Sequence, residues 1–264
     1  MELYYRIFEA ECSPDEAKED LIIIHGLFGM SDNWIMIAKA FAKERRVIIP
    51  DLRNHGQSPH SELFTMNLLV EDILELTKSE HSKSPIIIGH SLGGRIAAKL
   101  AFTHSEAVSK LIIADMNLGE IKLRPEHQSL FLLMKTYSLK DMKSIGEIDS
   151  FLKQYVNSER IRMFILKNIR KNKEGVFDWK LNFPVLMDAF NSLMPQASEN
   201  ENYSNPTLVI RGGKSDYVTD NHFEFMKKHF NNIELKTIEG ASHWLHADNP
   251  NEFVKIIKTF INSK

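Results

Sequence analysis

The sequence predicts an α/β protein in which a mostly parallel sheet is wrapped by helices. Short runs rich in Ile, Val and Leu recur along the chain without polar alternation, as expected of strands covered on both faces. Amphipathic stretches of helical length lie between those runs, and this alternation is what builds a parallel sheet. The chain is also long enough for a large core, with 264 residues of which 43% are hydrophobic and 26% charged.

The elements follow in order. Leu3–Glu9 alternates like an antiparallel edge strand. Leu21–Ile24 is the first continuous apolar strand, and Trp34–Ala42 the first amphipathic helix. Val47–Ile49, the helix Thr65–Thr77, the strand Ile86–Ile88 and the helix Ser91–Thr103 continue the pattern, and Leu111–Ala114 closes the first half. From Asn117 to Tyr203 the strands stop. Leu130, Phe131, Leu133 and Met134, then Phe164, Ile165 and Ile169, follow helical spacing, so this stretch reads as a helical insertion with no strand of its own. Its net charge is +2, with Arg160, Arg162, Lys167, Arg170, Lys171 and Lys173 clustered in one run without an acid. That run is either a solvated helix face or a docking face for an anion. Leu208–Ile210, the helix Asn221–His229, the strand Ile233–Ile238 and the helix Asn251–Ile261 complete the chain. The expected organisation is therefore a core from residues 1–116 and 204–264, interrupted by a helical cap over 117–203.

Composition removes several function classes. A net charge of −2 lacks the cationic footprint of a nucleic-acid binder. The single cysteine, Cys12, excludes an intramolecular disulfide and a Cys-based zinc cluster. No apolar stretch approaches the ~18 residues that span a bilayer, and the opening MELYYRIFEAE lacks presequence character, so a cytoplasmic protein is expected.

The chemistry centres on Gly89-His90-Ser91-Leu92-Gly93, a G-x-S-x-G pattern between a strand and a helix. A serine hydroxyl becomes a useful nucleophile when a sharp turn exposes it beside a base and hydrogen-bond donors. The glycine spacing also suits a P-loop, but Arg95-Ile96 stands where that loop needs Lys and Ser or Thr. His243 is the candidate base: it sits in a loop after the strand Ile233–Ile238, at the sheet edge where parallel strands gather their ligand loops. His246 lacks further metal-ligand partners at suitable spacing, His90 is expected to support the turn, and His55 to order its own loop. The Leu92 amide, at a helix N-terminus directly after the serine, and the Leu27 amide, in His25-Gly26-Leu27-Phe28-Gly29, are the candidate oxyanion donors.

These motifs, with Asp51-Leu52-Arg53-Asn54-His55-Gly56-Gln57-Ser58 and Gly240-Ala241-Ser242-His243-Trp244, resemble the α/β-hydrolase family in order and interval. The fuller strings His25–Trp34, Arg53–Pro59 and His243–Pro250 are similar to the YbfF-type bacterial esterases. That resemblance implies a small capped hydrolase acting on simple esters and acyl-CoA thioesters, without metal or cofactor. In most of the family the triad acid follows the strand corresponding to Thr207–Arg211; here Ser215 holds that position and Asp216 comes one residue late. Asp115, at the end of the preceding strand, could reach the same imidazole, and YbfF-type enzymes are similar in using an aspartate there with a serine at the usual acid position. Asp115 is accordingly assigned as the orienting acid, with Ser215 auxiliary and Asp216 the fallback.

The expected reaction is two-step acyl transfer through an acyl-enzyme on Ser91, with a small acyl ester or thioester as partner molecule. Phe28 and Arg124 are candidate substrate contacts, Arg124 for a carboxylate or phosphate. Leu118, Leu123, Phe131 and Met134 could contact an acyl chain or simply pack the cap. C–C bond or lactone hydrolysis on the same scaffold is one alternative, and a hydrolase-like binding protein without turnover is another. A carboxylate-based dehalogenase is disfavoured by Ser91 itself.

Overall fold

A computed structural model describes residues 1–13, 17–121 and 125–263. Seven strands form one sheet: β1 (Tyr5–Phe8), β2 (Lys18–Ile24), β3 (Arg45–Pro50), β4 (Ile86–His90), β5 (Lys110–Ala114), β8 (Thr207–Gly212) and β9 (Ile233–Ile238). Their spatial order is β1-β3-β2-β4-β5-β8-β9, with only β1 antiparallel to its neighbour. Strand β4 therefore lies at the centre, and its register pairs Gly89 with Ile24 on one side and His90 with Ala114 on the other.

The apolar strands are covered on both faces, and the period of two divides their residues between two cores. Ile22, Ile24, Ile87, Leu111 and Ile113 face helices α2 (Met66–Ser79) and α3 (Leu92–Thr103). Leu21, Ile23, Ile86, Ile88 and Ile112 face α1 (Ile35–Phe41) and the last helix, α10 (Pro250–Asn262). The α10 helix opens with Pro250 at its first position and Asn249 as the cap that accepts the Glu252 amide at 3.2 Å.

Between β5 and β8 lie four helices, α4 (Pro125–Thr136), α5 (Ile145–Leu152), α6 (Glu159–Leu166) and α7 (Phe183–Leu193). The two ends of this insertion run side by side: the Ala197 amide donates to the Leu118 carbonyl at 2.8 Å, and the Ile121 amide to the Met194 carbonyl at 3.2 Å.

The insertion is not wholly helical. An antiparallel ribbon, β6 (Ile169–Lys171) with β7 (Phe177–Trp179), replaces the helix expected to run on through Ile169. Helix α6 stops at Leu166, and the buried Asn168 side chain leaves to donate to the Phe28 carbonyl at 2.9 Å. The turn is made by Asn172, whose Oδ1 accepts the Glu174 and Val176 amides, and by Gly175 at φ 79°. Part of the basic run is paired: Arg160 with Asp248, the buried Arg162 with Asp149, and Arg170 approaches Asp178, while Lys167, Lys171 and Lys173 are exposed. Two shorter helices, α8 (Asp220–Met226) and α9 (Leu245–Asp248), flank β9 in sequence. No helix among the described residues is long and apolar enough to cross a membrane.

Candidate active site

Strand β4 ends at His90 and α3 begins at Leu92, so Ser91 alone makes the turn between them. It does so at φ 53° and ψ −121°, a conformation that L side chains rarely adopt. The flanking glycines allow it. A Cβ on Gly89 would sit 2.2 Å from the Gly93 carbonyl oxygen, and one on Gly93 would sit 2.2 Å from that of Ile24. The turn is held by the Ser91 amide donating to Ala114 O at 3.1 Å and by the Gly94 amide donating to Ser91 O at 2.8 Å.

Ser91 opens onto a cavity of about 320 Å³ that His243, Leu27, Phe28 and Trp34 also line. The Leu27 and Leu92 amides donate to no acceptor among the described residues, and Leu27 lines the cavity. The loop carrying Leu27 is fixed by His25, whose Nδ1 donates to Gly26 O at 2.8 Å while Nε2 accepts the Leu52 amide at 3.0 Å. Burial lowers the His25 pKa to about 4, so this ring stays neutral and keeps that tautomer.

Asp115 directly follows β5, fully buried, with φ at 49°. Its Oδ2 meets His243 Nδ1 at 2.8 Å and also accepts the Ser215 hydroxyl, while Oδ1 accepts the Gly212 amide at 3.1 Å. The structure thus brings Asp115 and Ser215 together beside His243, whose Nδ1 meets the Asp115 carboxylate.

Two supports for His243 had no signature in the sequence. Tyr217 stacks on the imidazole, ring centroids 3.8 Å apart and 17° from parallel. Asn117 holds Tyr217 from behind, its side-chain amide donating to the Tyr217 carbonyl at 2.7 Å. His90, expected to support the turn at Ser91, bonds the other loop: its Nε2 donates to the His243 carbonyl at 2.8 Å. His246 stacks on Trp34 at 4.0 Å, and burial drives its pKa down to about 3. His55 does order its own loop, through Nδ1 to Arg53 O at 2.9 Å. Among the described residues no three His, Cys, Asp or Glu side chains converge as a metal ion would require.

The insertion walls the cavity with Ile121, Leu130, Val156, Ile161, Phe164 and Phe190. Of the residues that could contact an acyl chain or pack the cap, Leu118, Phe131 and Met134 are buried in the hydrophobic core. On α4, Phe131 and Met134 face inward while Leu130 reaches the cavity. Leu123 and Arg124 lie outside the described residues. Phe28 lines the cavity, with φ at 62° and its ring edge-on to Phe131 at 5.1 Å.

Known proteins resemble this chain in sequence and in fold. A solved structure titled "Marine microorganism esterase" superposes with a TM-score of 0.92 at 35% identity, covering 98% of this chain and 99% of that one. The sn-1-specific diacylglycerol lipase ABHD11 of Mus musculus is 30% identical over 91% of this chain and 80% of its own length. Esterase YbfF of Escherichia coli is 27% identical over 92% of each. The family model described as the alpha/beta hydrolase fold matches residues 21–250. A central parallel sheet with Ser91 at the tight turn after β4, and a match across most of the chain, place this protein in the α/β-hydrolase fold family.

Proposed function

We propose that the protein hydrolyses carboxylic esters through an acyl-enzyme on Ser91. The observation that carries the reading is the convergence on one cavity of a strained, half-buried serine, the loop that bears Leu27 and an imidazole fixed by a buried carboxylate. Asp115 takes Nδ1 of His243, so Nε2 is the nitrogen that receives the Ser91 proton as the hydroxyl attacks the ester carbonyl. The carbonyl oxygen becomes an oxyanion under the Leu27 and Leu92 amides. The imidazolium returns its proton to the departing alcohol, and the same base then activates water to free the acid and regenerate Ser91. The names of the relatives, esterase and lipase, support an ester as the substrate class.

Residues 117–203 act in this reading as a cap over the core of residues 1–116 and 204–264. The apolar side chains it contributes form the acyl-chain wall, with Phe28 opposite. The same route opens a thioester, so acyl-CoA substrates belong in the test beside simple esters.

The test is a panel of p-nitrophenyl esters and acyl-CoA thioesters, run with the wild type and Ser91→Ala, together with labelling by a fluorophosphonate. We expect the probe on Ser91 and a loss of kcat of about 10⁴-fold or more in the variant. Turnover that survives Ser91→Ala, or an unlabelled Ser91 in folded protein, would overturn the mechanism.

A further inference from the structure

Helix α3 carries a second cavity along its length. Its volume is about 290 Å³, and its walls come from the start of α2, from α3 and from the segment that leaves α7. Arg95, one turn beyond Ser91, lines it and is only 5% exposed. A guanidinium keeps its proton, so a buried one ordinarily has an acid beside it. Arg95 donates instead to two backbone carbonyls, Pro195 at 2.6 Å and Gly119, and its Nε has no acceptor. Among the described residues no carboxylate bonds to it. Burial with no opposing charge lowers the Arg95 pKa to about 10.

The neighbouring groups do not compensate it. Glu201 is the acid on the cavity wall, but its carboxylate is engaged by the Lys99 ammonium and by the Ser198 amide at 2.9 Å. Arg95 and Lys99 against Glu201 leave the lining with one positive charge in excess, and that excess sits at the buried guanidinium. The rest of the wall is mainly apolar, including Met66, Phe102, Leu118 and Leu193.

We propose that this cavity binds a small monocarboxylate with an apolar body, such as a short alkanoate, its carboxylate at Arg95 and its chain against Phe102 and Leu118. A monoanion balances the single excess charge, and a guanidinium suits the planar carboxylate. The apolar wall favours an alkyl tail over a bare anion such as phosphate. The site is distinct from the Ser91 cavity, although adjacent residues line the two, Met194 the first and Pro195 the second. The inference does not depend on the reaction proposed for Ser91.

Calorimetric titration of the full chain with hexanoate, hexanol and inorganic phosphate tests it. Ala197→Phe fills the cavity and leaves Arg95 untouched; Arg95→Gln removes the charge and keeps a polar side chain. Hexanoate should saturate the wild type, weaken as salt is raised, and bind about tenfold or more weakly to both variants. Hexanol and phosphate should each bind the wild type about tenfold or more weakly than hexanoate. Absence of saturable hexanoate binding to the wild type overturns the proposal. So does hexanoate affinity unchanged in Ala197→Phe, hexanol binding as well as hexanoate, or phosphate binding as well as hexanoate. If Arg95→Gln fails to fold once Gly119 and Pro195 are released, Ala197→Phe decides alone.

Discussion

Asp115 accepts hydrogen bonds from three segments at once: His243 from the loop after β9, Ser215 from the turn after β8, and Gly212 from the end of β8 itself. An amide at this position offers a donor where His243 needs an acceptor. Asp115→Asn should therefore lower kcat by about 10²–10⁴-fold with KM little changed. Ser215→Ala removes one hydrogen bond to the carboxylate and should lower kcat by about tenfold. Steady-state kinetics on a p-nitrophenyl ester measure both; Asp216→Asn falling further than Asp115→Asn would reverse the assignment. Ser91 and His243 were legible because chemistry dictates their surroundings, glycines around the turn and a loop at the sheet edge. Tyr217 was not, because one aromatic residue just past the Gly212–Ser215 turn forms no pattern until the fold lays it on the imidazole.

At the scale of elements, the start of α3 is where backbone approaches backbone. A methyl group at Gly93 would have to displace the β2 carbonyl at Ile24, 2.2 Å away, and neither the central strand nor the helix can yield without moving Ser91. Gly93→Ala should cost about 3 kcal/mol or more of unfolding free energy, read from urea midpoints. A midpoint equal to the wild type would show that the helix can slide. The central strands β2, β3, β4, β5 and β8 were legible because each carries an unbroken run of three or four apolar residues buried on both faces. The β6–β7 ribbon was hidden by its length: three residues per strand show one alternation, and Ile169 keeps helical spacing with Ile165 across the break. The cavity wall escaped for a related reason. Helical periodicity marks which α4 residues are apolar, but Phe131 and Leu130 are neighbours in sequence, and only packing assigns one to the core and the other to the cavity.

For the whole molecule, the buried histidines set the response to acid. Burial lowers His25 from 6.5 to about 4 and His55 and His246 to about 3, and it holds His90 well below 6.5. Below pH 6.5 the unfolded chain takes up protons that these folded sites refuse, so their contribution to stability is complete above 6.5 and declines as pH falls towards 4. Each such group can contribute about 1.4 kcal/mol per pH unit in that window, so a loss of a few kcal/mol is expected between about pH 7 and 5. Urea unfolding at the two pH values measures it, and equal midpoints would sink the idea. His246→Phe retains an aromatic ring over Trp34 and removes one titration, so it should shrink the loss. The backbone at Ser91 has a different consequence for durability. A chain held at φ 53° for the sake of one hydroxyl is less stable than it could be, by about 1–3 kcal/mol. Ser91→Gly, which abolishes the nucleophile and releases that strain, should therefore give a protein that melts later than the active one. Selection for thermal robustness alone would then favour disarmed molecules, and directed evolution of this scaffold would have to screen for turnover at every round to keep the serine.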